Sequence, residues 1–185
     1  MENPLAQSIW LFAFIINLIA YSSSKDKSIK FIGAISLIIW AIHYSLLWLY
    51  TGWIIAIIWF IRNIYSIKSV WNKKIMYVFF LLYIFWTIIT YKSLFSIYSL
   101  IAAFIYLYAF FNLKNLKLRY AMIFWNIFWA LYAFYWHSIG LLLSEFIFTF
   151  GTFLSIIKIK YPKSLIIKFF NWNLFKLKKV KIKSL

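Results

Sequence analysis

Three acids face twenty Lys and Arg in this 185-residue chain, and one of the three, Glu145, stands inside an apolar run. Arg62 stands inside another. A charged side chain at the centre of a bilayer costs at least about 2.5–3.5 kcal/mol on insertion scales, so each needs a role or a partner. Glu145 lies five residues past Gly140, about 7–8 Å along a helix, and Arg62 lies ten past Gly52, about 15 Å along. His43 precedes Gly52 by nine residues, and Tyr132 holds the corresponding place in a second, similar stretch. Asn17, Asn63 and Asn126 add amides that must face protein or water rather than lipid. Such groups suit hydrogen bonding to a polar solute, or a proton relay in which His43 or Tyr132 serves Glu145. The plainer roles are a helix-packing hydrogen bond for His43 and snorkelling of Arg62 toward the headgroups. An Arg62–Glu145 ion pair is the alternative.

Enzymatic templates fail. No H-E-x-x-H or G-x-S-x-G occurs, four glycines form no phosphate loop, and no cysteine is present. Glu145 has no second membrane carboxylate with which to share acid–base work. The expectation is a protein that is not an enzyme and holds neither metal nor cofactor.

The elements that must position these groups follow from composition. Apolar residues make up 66% and charged residues 12%, against roughly 45–50% and ~25% in soluble proteins. So little polar surface cannot coat a water-soluble globule, and so much hydrophobicity excludes a disordered chain. Seven apolar segments, near 5–22, 31–50, 53–69, 75–91, 94–112, 119–136 and 139–157, approach the ~20 residues a membrane helix needs. They lack the alternation of barrel strands. The first carries Glu2 and no cleavage pattern, so it reads as a helix and not as a signal peptide.

Placing the N-terminus outside puts eighteen of the twenty cationic residues inside: in loops at 25–30, 68–74 and 114–119, at Lys158 and Lys160, and in the tail. The +17 charge is then a topology signal, and nucleic-acid binding is not expected. In the tail at 161–185, Lys163, Lys168, Lys176, Lys178 and Lys179 suit an anionic membrane surface, with a solvated tail as the alternative. The clusters Trp48-Tyr50-Trp53 and Tyr132-Tyr135-Trp136 suit an outer aromatic belt.

Two stretches repeat. The run from Trp40 to Gly52 matches the run from Trp129 to Gly140, and Ser66-Ile67 matches Ser155-Ile156, at an offset of 88–89 residues. A gapless extension from the glycines sets Arg62 against Phe150. The reading is an all-α membrane protein: seven transmembrane helices as two parallel three-helix repeats joined by a linker helix. Its units are 1–69, a linker at 70–93, 94–160, and a basic cytoplasmic tail at 161–185.

His43-Tyr-Ser-Leu-Leu, the Arg62 position and Ser138-Ile-Gly-Leu-Leu-Leu-Ser-Glu145 resemble the YgjV family of bacterial inner-membrane proteins. The chain departs from that pattern in Trp59, where an Asn is expected, and in Tyr132, where a His is expected. The resemblance implies a multi-pass protein of the bacterial inner membrane. The layout is also similar to that of the SWEET and PQ-loop sugar transporters, without their Pro-Gln motif. The functional expectation is a carrier of a small polar or cationic solute, or of protons, through a cavity between the repeats. A non-transporting scaffold or accessory subunit is the alternative, and a homo-oligomer is compatible with either.

Overall fold

The computed structural model describes residues 4–48, 50–68, 72–91, 94, 96–135 and 137–162. The tail lysines Lys163, Lys168, Lys176, Lys178 and Lys179 lie outside the described residues. Each of the seven apolar segments forms one helix: α1 (Pro4–Tyr21), α2 (Asp26–Leu46), α3 (Tyr50–Lys68), α4 (Lys73–Ile89), α5 (Ser96–Asn112), α6 (Asn115–Tyr135) and α7 (Ile139–Lys160). Three of them, α1, α2 and α7, are long and apolar enough to cross a membrane by length and composition. Lipid leaves a backbone no solvent partner, so residues that favour strands in water close their hydrogen bonds within a helix. Large apolar side chains recur at helical spacing on the outward faces, as in Phe12, Ile15 and Ile19 or Phe146, Phe150 and Phe153.

Helix α2 packs between α1 and α3, and α6 packs between α5 and α7. α1 also meets α7, and α3 meets α5, so six helices close into a ring, with α4 lying against α5. Small residues set the spacing. Ala6, Ala13 and Ala20 are buried on one face of α1, seven residues apart. Their lack of bulk lets side chains of α2 reach the α1 backbone. Ser36 donates its hydroxyl to the Ala13 carbonyl at 3.1 Å, and the His43 ring bonds the Ala6 carbonyl at 2.9 Å.

Buried and half-buried cations tie one end of the ring together. Lys30 donates to the carbonyls of Ser66 and Phe110. Arg119 forms an ion pair with Asp26 and donates to the carbonyls of Ser23 and Ser24 at 3.2 and 2.9 Å, and to the Ser155 hydroxyl at 3.0 Å. Lys158 donates to the Ser22 carbonyl at 2.9 Å. These carbonyls belong to the ends of α3 and α5 or to the turn after α1, where unpaired C=O groups and the helix dipole both favour cations. Lys30 and Arg119 therefore differ from the loop charges expected of them. They are 5% and 0% exposed and act as staples between helices.

Candidate functional site

A cavity of about 1010 Å³ lies inside the ring, and every helix contributes to its wall. Of the seven candidate polar residues, Asn17, His43, Arg62, Asn63, Tyr132 and Glu145 line it. Asn126 does not, but it holds Glu145. With its amide turned to satisfy its neighbours, Asn126 Nδ2 donates to Glu145 Oε2 at 3.2 Å while its oxygen accepts from Thr149. The relation of these residues to one another was beyond the reach of spacing along the chain, because they come from five helices.

The cavity is one-sided. Tyr91, Ser138 and Gly140 line it and are exposed at the end away from the cationic staples. At the other end it stops on stacked rings. Tyr21 stacks on Phe148 (4.9 Å between centroids) and on Trp125 (6.0 Å), and Trp125 packs on Tyr106 (4.3 Å). Behind them Ile29, Phe110, Leu118 and Met122 complete a packed cluster. Well-packed aromatic rings of this kind exclude water.

Arg62 stands at this floor, 2% exposed. It does not snorkel: the guanidinium turns inward, Nη1 donating to the Tyr83 hydroxyl at 3.1 Å, and Nε and Nη2 to Asn63 Oδ1 at 3.2 and 2.7 Å. Its Cζ lies 4.3 Å from the centroid of the Tyr106 ring. The ring faces supply negative potential where headgroups were expected to. Arg62 and Glu145 line the same cavity without forming an ion pair. Among the described residues the ion pair present is Arg119–Asp26.

His43 is buried, and its Nδ1 bonds a carbonyl, which can only accept. Nδ1 is therefore the donor in this contact. The helix-packing role expected of His43 is present, and the residue lines the cavity as well. Tyr132, assigned by sequence both to the aromatic belt and to the interior, faces the cavity, whereas Trp48, Trp53 and Tyr135 are exposed.

Sequence reasoning passed over Trp59, Tyr83, Tyr106 and Trp129, all of which line the cavity. An aromatic residue in an apolar helix carries no mark that separates a lipid face from an interior one. Trp59, standing where an amide was expected, was the one available signal. It retains an N–H donor. Among the described residues no group of three His, Cys, Asp or Glu is placed to hold a metal ion.

The family model for the bacterial inner membrane protein Imp-YgjV matches residues 4–163. No curated protein and no solved structure matches the chain. The matched stretch holds all seven helices and the whole cavity wall, and the chain belongs to the Imp-YgjV family of bacterial inner membrane proteins.

Proposed function

We propose that this inner-membrane protein is a carrier for a small polar solute, and that its seven helices all span, as two like-facing three-helix units joined by α4. The observation that carries the reading is the one-sided cavity: polar side chains gathered midway along the bundle, an open mouth at one end and stacked rings at the other. Carriers place their sites between repeats near the bilayer midplane and expose them to one side at a time. The positive-inside rule sets the cationic end in the cytoplasm and the mouth outside.

Several correspondences support the repeat. α2 and α6 begin at Asp26 and Asn115 and end at Leu46 and Tyr135, and the two starts meet, Asn115 N donating to Asp26 Oδ2 at 2.9 Å across 89 residues of chain. The same interval separates Trp48 and His137, both left-handed, with φ of 55° and 51°. It also separates the buried pairs Ala13/Ala102, Ala20/Ala109, Ile29/Leu118, Lys30/Arg119 and Ser66/Ser155. In this register Arg62 corresponds to Gly151, and the pairing with Phe150 that follows from Gly52 and Gly140 is set aside. The ring contacts match as well, since exchanging the units turns α1 against α7 into α5 against α3.

The chain has no cysteine, so one introduced thiol reports alone. Ser144 lines the cavity. In Ser144→Cys, a membrane-impermeant thiol reagent is expected to label right-side-out vesicles, and inside-out vesicles to a lesser extent, as the site alternates. Labelling from one side only, or from neither, would remove the carrier reading and leave the scaffold.

A further inference from the structure

The floor of the cavity holds polar groups with unmet hydrogen bonds, the Tyr21 hydroxyl among them. Arg62 presents five N–H groups, of which three are used, by Asn63 twice and by Tyr83 once. The terminal nitrogens keep N–H capacity beyond these contacts, beside the Tyr106 hydroxyl, and can donate to a carboxylate. Its hydrogen-bond partners are neutral, and its charge is held by the faces of Tyr106, Phe110 and Trp59, at 4.3, 5.3 and 5.9 Å. Ring faces stabilise a cation without occupying its donors.

Two more donors stand in the same wall. The indole Nε1 of Trp59 and that of Trp129 are buried with no hydrogen-bond partner, and the two rings meet edge to face at 6.0 Å. A buried N–H without a partner costs about 1–3 kcal/mol, and such orphans are rare in folded proteins. A buried cation without a counter-charge is rarer still. All three features call for the same complement, an acceptor-rich anion. The rest of the wall, with Trp10, Trp40, Tyr44 and Trp86, suits an apolar body. Glu145, the carboxylate of the cavity, accepts from the turned Asn126 amide and forms no ion pair with Arg62.

We infer that the solute is an organic anion, a small carboxylate with an apolar or aromatic body, whose carboxylate binds Arg62 beside Trp59 and Trp129. This narrows the small polar or cationic solute expected from the sequence to an anion. It deepens the carrier reading and rests on it for the claim that the bound anion is cargo.

The test is equilibrium binding of radiolabelled benzoate to the purified full-length protein, with benzamide and benzylammonium as competitors of the same shape. Saturable benzoate binding is expected, resisted by neither competitor at equal concentration. Arg62→Gln should weaken it at least tenfold, on the order of the 1.4 kcal/mol that a tenfold change represents. Arg62→Lys should recover part of the loss, since it restores charge without the fork. Trp59→Phe keeps the ring and removes the N–H, and should weaken binding several-fold even if the Arg62 variants fail to fold. Trp53→Phe, on the exposed face of α3, should change nothing. Absence of saturable binding by the native chain, equal competition by benzylammonium, or unchanged affinity in Trp59→Phe would overturn the inference. Binding without uptake into proteoliposomes would remove the carrier reading alone. Uptake of a cation by a protein that does not bind benzoate would remove this inference alone.

Discussion

Arg119 meets a carboxylate, three backbone carbonyls and a hydroxyl, whereas Arg62 meets only neutral groups through its hydrogen bonds. The first is a completed structural contact between two helix ends, and the second is half of a contact. Breaking a buried pair leaves its other member uncompensated, at a cost of about 3–5 kcal/mol. Arg119→Gln removes the counter-charge of Asp26, which is partly exposed and keeps its bond from Asn115 N, and is expected to destabilise the protein by the lower end of that range, about 3 kcal/mol, in SDS-titration unfolding in mixed micelles. Lys30→Gln loses two carbonyl bonds but strands no charge, and should cost less, about 1–3 kcal/mol. Equal losses in the two variants would show that the Asp26 pair adds nothing. At this scale the sequence marked which side chains were costly in lipid, and Arg62, Glu145, His43 and the asparagines did converge. It misjudged where Arg62 points, because a stem long enough to snorkel is also long enough to turn inward once aromatic faces are near.

Among the elements, closeness of approach is set by residues with almost no side chain. Ala13 is fully buried and accepts a hydrogen bond from Ser36. Ala13→Leu would part α1 from α2 and break that bond, and overpacking of this kind costs about 1–3 kcal/mol. Gly151, where α7 meets α1, gives a sharper comparison. A Cβ there would lie 3.1 Å from Leu18 Cδ1 and from Ser22 Oγ, and 3.4 Å from Tyr21 Cβ, whereas a Cβ at Gly140 meets nothing within 4 Å. Gly151→Leu is expected to lower the thermal midpoint in detergent, and Gly140→Ala to leave it unchanged or raise it. Similar effects at both glycines would argue against tight α1–α7 packing. The helices were legible as apolar runs of spanning length, to within a few residues. Their outward and inward faces were not, because in lipid both carry apolar residues and amphipathic contrast fades.

For the whole molecule, orientation and closure are the testable properties. His137 is exposed in the α6–α7 turn and Lys27 is exposed near the start of α2. On the proposed orientation, an impermeant maleimide applied to spheroplasts labels His137→Cys and spares Lys27→Cys until the membrane is opened. The reverse pattern would invert the protein and place the cavity mouth in the cytoplasm. Equal labelling of both before lysis would be incompatible with seven spans. The role of α4 also changes at this scale. Read as a bare linker, it lends Tyr83, Trp86 and Thr87 to the cavity wall beside the sparse α3–α5 contact, and the Tyr83 hydroxyl accepts from Arg62.

From the amino-acid sequence alone came the solvent, the number of helices, the lysine asymmetry and the short list of polar groups too costly to leave in lipid. Those properties are sums along the chain, and transfer free energies add segment by segment. The closed ring, the inward turn of Arg62, the burial of Lys30 and Arg119 as staples, and the two unpartnered indole donors came only from the fold. Each depends on which helix stands beside which. In a bilayer that choice is made by the fit of small residues and by hydrogen bonds between helices, which leave almost no trace in hydropathy.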